Sequence, residues 1–91
     1  MTQHNTTPAD LRQNDRVAVE AHLQKTGEDV AFEGHVHSTH AGSQWHAVNI
    51  ETDGGQRYTI WYNGKHQRWD LREPELRGNT LARDIDVRGA H

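Results

Sequence analysis

The run Asp15-Arg16-Val17-Ala18-Val19-Glu20-Ala21-His22-Leu23, followed after a polar break by Val30-Ala31-Phe32-Glu33-Gly34-His35-Val36-His37, decides the fold class. Val17, Val19, Ala21 and Leu23 stand two apart, as do Val30, Phe32, Gly34 and Val36. Ala18, Glu20, His22, Ala31, Glu33, His35 and His37 take the alternate places. Successive side chains of an extended chain point to opposite faces, so each run reads as a strand with one apolar face. Gln24-Lys25-Thr26-Gly27-Glu28-Asp29 supplies the turn. Setting Leu23 opposite Val30 places Ala21 against Phe32, Val19 against Gly34 and Val17 against Val36. Both apolar sets then share a side, a match that a slip of one residue would destroy. Gly34 inside a strand is expected where a bend or a crossing side chain needs the space.

Working outward, Trp45 to Thr52 carries Val48 and Ile50, and Arg57 to Tyr62 is a return strand. Between them Asp53-Gly54-Gly55-Gln56 is a hairpin signal, because two glycines accept the positive φ angles of tight turns. With Gly54-Gly55 at the tip, Ile50 faces Thr59 and Val48 faces Trp61, leaving Tyr58, Ile60 and Tyr62 on the opposite face. Both faces of this hairpin then look apolar, as in a central hairpin or one that presents aromatics outward. Asn63-Gly64 marks another turn, Arg68-Trp69-Asp70-Leu71-Arg72 alternates as a short fifth strand, and Pro74 ends it. One more short strand is expected near Asp84 to Arg88, and a helical turn fits Pro74 to Leu76.

The expected organisation is a disordered tail over 1–10, a β domain over 11–74, and a loosely structured C-terminal extension over 75–91. The fold class is all-β, a small antiparallel barrel of five to six strands. The opening Leu11 with Asn14-Asp15-Arg16-Val17, and the aromatic-x-Gly-x-Val pattern of Phe32-Glu33-Gly34-His35-Val36, resemble the small Src-homology-3-like barrels over about Leu11 to Glu73. That resemblance implies a fold and not a function. The aspartate–asparagine pair of Sm-like RNA binders is missing after Gly34, and no glycine follows Asp15 as a KOW motif would have it, so no binding residue carries over from either.

Composition bounds the function. Hydrophobic residues are 32% of the chain, against about 45–50% in ordinary domains, so the core is small. Without cysteine, disulfides, thiolate metal sites and thiol nucleophiles are excluded. The start Met1 to Pro8 lacks the basic and apolar regions of a secretory signal, and no apolar run approaches a membrane span, which gives the expectation of a cytoplasmic protein. A net charge of −3 argues against a strongly electrostatic nucleic-acid binder. The balance is nevertheless uneven, because within 57–72 Arg57, Lys65, Arg68 and Arg72 face only Asp70.

Two candidate sites follow. Arg57, Trp61, Tyr62, Lys65, Arg68 and Trp69 could form an aromatic and basic surface that stacks on bases and holds phosphates, or that grips a protein; Tyr58 lies beside it. The competing reading makes Trp61 and Trp69 core partners. Glu33, His35 and His37 at alternate positions of one strand, completed by His40 or His46, have the donor types of a zinc or nickel site. Here the competing reading is the polar face of an amphipathic strand. Ser38 and Ser43, near His37, His40 and His46, lack a nucleophile elbow, and neither Glu73 with Glu75 nor Asp84 with Asp86 makes a persuasive acid–base pair. The expectation is a non-catalytic binding module for a protein, a second copy of itself, or single-stranded nucleic acid. A histidine-based metal or pH-responsive protein, and a subunit that self-associates by strand pairing, are the alternatives.

Overall fold

Closure of the barrel follows from how far each strand reaches. The computed structural model describes residues 10–74 and 79–89; of the expected 1–10 tail residues 1–9, and of the helical turn expected at Pro74 to Leu76 residues 75–76, lie outside them. Six strands, β1 (Arg16–His22), β2 (Asp29–Ala41), β3 (Trp45–Thr52), β4 (Arg57–Asn63), β5 (Arg68–Arg72) and β6 (Thr80–Gly89), pair antiparallel in chain order. β6 returns to β1 and closes the barrel. The all-β small barrel expected from the alternation is therefore what the chain forms. The last strand is longer than the short one expected and carries Ala82, Ile85 and Val87 into the core. Among the described residues no helix is long and apolar enough to cross a membrane.

The interior is filled by Val17, Val19, Ala21, Val36, Val48, Ile50, Ile60, Trp69, Leu71, Ala82, Ile85 and Val87, with Leu11 beneath. Half-buried Leu23, Val30, Phe32, Tyr58, Tyr62 and Leu81 pack against this cluster. Phe32 and Tyr58 stack with centroids 4.8 Å apart. A barrel this narrow is packed by its own side chains and leaves no lumen for a ligand.

Two registers differ from expectation for definable reasons. In the first hairpin Val19 lies opposite Phe32 and Val17 opposite Gly34, two residues from the expected match. Leu23 leaves the strand and instead pairs with Glu28 (Leu23 N–H to Glu28 C=O, 2.8 Å). A shift of two preserves the faces, so the apolar side stays inward. In the β3–β4 hairpin the shift is one residue: Ile50 faces Tyr58 and Val48 faces Ile60. Thr52 N–H donates to Gln56 C=O at 2.7 Å, which makes Asp53-Gly54-Gly55 a three-residue loop rather than a two-residue tip. Gly55 sits at φ 85°, the left-handed position such loops require. The odd shift reverses the expected faces, sending Tyr58, Ile60 and Tyr62 inward with Val48 and Ile50, and Trp61 outward.

β2 changes partners along its length, from β1 to β3. Gly34 is where the change occurs, because a Cβ there would fall against the Glu51 carbonyl and lie 2.8 Å from Thr52 Cα. Between Val36 and Ser38 the ladder slips by one residue, which makes His37 a bulge. Past it Ser38 and His40, not His37, share the outward face with Asn49 and Ala47.

Candidate binding surface

Alternation on β3, β4 and β5 places Trp45, Ala47, Asn49, Thr59, Trp61, Arg68, Asp70 and Arg72 on the outside of the barrel. Trp45 and Trp61 are diagonal neighbours across β3 and β4, within reach of large rings. They stack with centroids 4.8 Å apart and planes 13° from parallel. From the opposite diagonal the Arg72 guanidinium lies 4.4 Å over the Trp61 ring. Trp61 is thus held between an indole and a guanidinium, and the Trp45 ring lies against Gly42, where a Cβ would meet it. The stack covers Ala47, which is buried although it faces outward.

Next to the stack runs a polar belt at one level across the strands. Asn49 Nδ2 donates to Ser38 Oγ at 2.9 Å, and Thr59 Oγ1 donates to Asn49 Oδ1 at 2.7 Å. Arg72 is the next cross-strand residue after Thr59. Its Nε is buried and meets no hydrogen-bond acceptor. On the same face Asp70 has a side chain only 8% exposed, with Arg68 Nε 3.8 Å away; that nitrogen lies equally far from Asp84. Asp70 Oδ1 and Arg68 Nε both lack a hydrogen-bond partner, so Arg68 is committed to two carboxylates by charge alone.

The surface expected from the sequence is therefore divided. Trp69 is fully buried and half-buried Tyr62 packs edge-on against it at 5.1 Å, so neither belongs to the outer face. Trp61 is outside and half-buried, Arg57 is exposed at the base of the β3–β4 hairpin, and Lys65 is exposed in the β4–β5 turn. Asn63 Oδ1 shapes that turn by accepting from Lys65 and His66 N–H at 3.0 and 3.3 Å. Trp45 and Arg72 were missed. Their signal was the choice of loop: centring the hairpin on Gly54 puts Trp45, Ala47 and Trp61 on one side. A shallow cleft of about 380 Å³ lined by Ser43, Gln44, Gly64 and Lys65 lies between the loops that flank Trp45.

The histidine set is also divided. Glu33 and His35 face outward from β2, His37 is the bulge residue, and His46 belongs to the inward-facing set of β3. Among the described residues no group of three or more histidine, aspartate or glutamate side chains is placed to hold a metal ion. Ser38 Oγ meets the Asn49 amide, and Ser43 is exposed in a loop.

His46 is half-buried, its Nε2 has no partner, and burial pushes its pKa below the usual imidazole value. The unfolded chain therefore takes up this proton more readily. Stability should fall as pH drops through the ordinary imidazole range, with the penalty complete below the folded-state pKa. Denaturant titrations from pH 8 to pH 5 should show a slope that His46→Gln reduces; an unchanged slope refutes this assignment. Asp53 acts in a separate, more acidic window. The hydrogen bond from Arg16, at 2.7 Å, holds its carboxyl below the ordinary value, and the stability this contributes is present above that value and lost as pH falls through the lowered one.

The other side of the barrel is different in character. Glu20, Asp29, Asp84 and Asp86, with His22 and Arg83, line an open groove over β1, β2 and β6, and Glu33 with Arg88 lines its neighbour. Compared with models of protein families, with curated proteins and with solved structures, the chain has no match.

Proposed function

We propose that this protein is a non-catalytic binding module, a small Src-homology-3-like barrel that recognises a protein partner through the outer face of β3, β4 and β5. The observation that carries the reading is the Arg72–Trp61–Trp45 stack, displayed outside a barrel whose interior is already filled by Trp69 and the aliphatic residues. Tryptophan and arginine are the residue types that most often dominate protein interfaces, because they combine large contact area with directional polar groups. Single-stranded nucleic acid is the second reading, and the basic residues Arg57, Lys65 and Arg72 favour it. The stack does not: base recognition uses a free aromatic face, and both faces of Trp61 are occupied. Self-association by strand pairing has the least support, since closure leaves only short unpaired edges.

Amide and indole chemical-shift mapping tests this proposal with three probes, a glutamate-rich peptide, a lysine-rich peptide and oligothymidylate. A peptide is expected to perturb Trp45, Trp61 and Arg72 and to leave β1 and β6 unchanged. Perturbation by oligothymidylate alone, weakening steeply with salt, would transfer the function to nucleic acid. Perturbations confined to the β1, β2 and β6 groove would remove the site from this face.

A further inference from the structure

We infer that the partner is an acidic, extended polypeptide segment that lays one carboxylate on Arg72, an inference that rests on the protein-binding reading above. Three independent features converge on it. The first is charge. The outer face from Arg57 to Lys65 carries Arg57, Lys65, Arg68 and Arg72 against half-buried Glu51, which lies opposite Arg57, and against Asp70 and Asp84, which share Arg68, while the opposite groove carries Glu20, Asp29, Asp84 and Asp86 with His22 and Arg83. In a chain of net charge −3, such a division steers an anionic segment to one side and repels it from the other.

The second is donor excess. In the belt beside the stack, Asn49 Oδ1 is already taken by Thr59, whereas the second Asn49 amide hydrogen, the Ser38 hydroxyl hydrogen and the Arg72 Nε–H have no acceptor that the belt itself supplies. A buried donor without an acceptor is unfavourable, and because Arg72 Nε has no accessible surface of its own, a carboxylate relieves it by meeting the guanidinium as that group shifts outward. The third is preorganisation. Arg72 lies flat on Trp61, so its planar fork has lost rotameric freedom before any partner arrives, and a fork held in this way matches the two oxygens of a carboxylate. The outer face also spaces its anchors along β4: Arg57 and Trp61, the ring that carries Arg72, are four residues apart, about 13 Å at roughly 3.3 Å per residue. The Lys65 turn and its cleft continue the track beyond Trp45. An extended segment with acidic residues spaced along it can meet these points together.

Fluorescence anisotropy with a labelled glutamate-rich peptide, its glutamine counterpart and oligothymidylate tests the inference, on the full chain and on Arg72→Lys, Trp61→Phe and Lys25→Ala. The glutamate peptide should bind, the glutamine peptide should bind roughly tenfold or more weakly, and Arg72→Lys should lose a similar factor, as expected for loss of a charge-assisted pair. Arg72→Lys keeps the charge and alkyl stem, so its melting temperature should stay near that of the parent. Lys25→Ala, in the remote β1–β2 turn, should bind as the parent does. Equal binding of the two peptides with sensitivity to Trp61→Phe would overturn the carboxylate while leaving the protein-binding reading standing. Binding of oligothymidylate alone would overturn both. Failure of the glutamate peptide to bind would overturn the carboxylate inference.

Discussion

Trp69→Ala should unfold this protein or bring it to the edge of unfolding. Trp69 is completely buried, is the second residue of β5, and supports Tyr62 edge-on at 5.1 Å. Truncating a buried aromatic removes its transfer energy and leaves a void that surrounding strands fill only in part, at about 3–5 kcal/mol. A domain of this length has roughly 5–14 kcal/mol of total stability. Urea denaturation followed by circular dichroism measures the effect directly, and Trp69→Phe should recover part of it. By contrast Trp61→Phe, outside the barrel, should change the unfolding midpoint little. If Trp69→Ala unfolded at the same urea concentration as the parent, the assignment of Trp69 to the core would be wrong.

The second large effect is expected at Gly34. Valine there would suit a strand by propensity and would continue the inward series of Val30, Phe32 and Val36. The neighbour that a Cβ meets, however, is the backbone of Glu51 and Thr52, which cannot rotate away as a side chain can. Gly34→Val must therefore push β2 from β3 at the point where β2 changes partners. Overpacking of this kind costs about 1–3 kcal/mol, and more where nothing can yield. Hydrogen exchange should show the loss concentrated in the β2–β3 pairs, with β4–β5 amides less affected. Gly27→Ala is the informative comparison. A Cβ at Gly27 has nothing within 4 Å but its φ is +75°, so only the left-handed conformation opposes it, at about 1–2 kcal/mol. Equal destabilisation at the two sites would deny the close approach of β2 and β3.

The strands themselves were legible because period-two alternation depends only on neighbours in sequence. β3 and β5 begin and end where the pattern placed them. The candidate site was legible in part. Trp61 and the cations Arg57 and Lys65 belong to the outer face, but Trp69 and Tyr62 do not. Trp69 could not be separated from Trp61 by type or spacing, since each sits in a short alternating strand. The β4–β5 register, which sets Trp61 opposite Asp70, puts them on different faces, and the three-residue Asp53-Gly54-Gly55 loop, which turns β4 over relative to β3, makes Trp61 the outer one. The two glycines accommodate a two-residue or a three-residue turn, so local chemistry there does not choose.

What the amino-acid order determined alone was the set of strands, their turns and the exclusion of cysteine chemistry, all properties of short stretches of chain. For β1 and β2 the alternation also gave the interior side, but for β3 and β4 only the closed barrel decided it, because that requires the partner strand and its register. The His37 bulge and the Gly34 crossing had the same effect on the histidines, scattering Glu33, His35, His37 and His46 over both sides of the wall. Residue type alone does not tell a tryptophan bound for the core from one bound for the outer stack; packing at a distance in sequence chose between them.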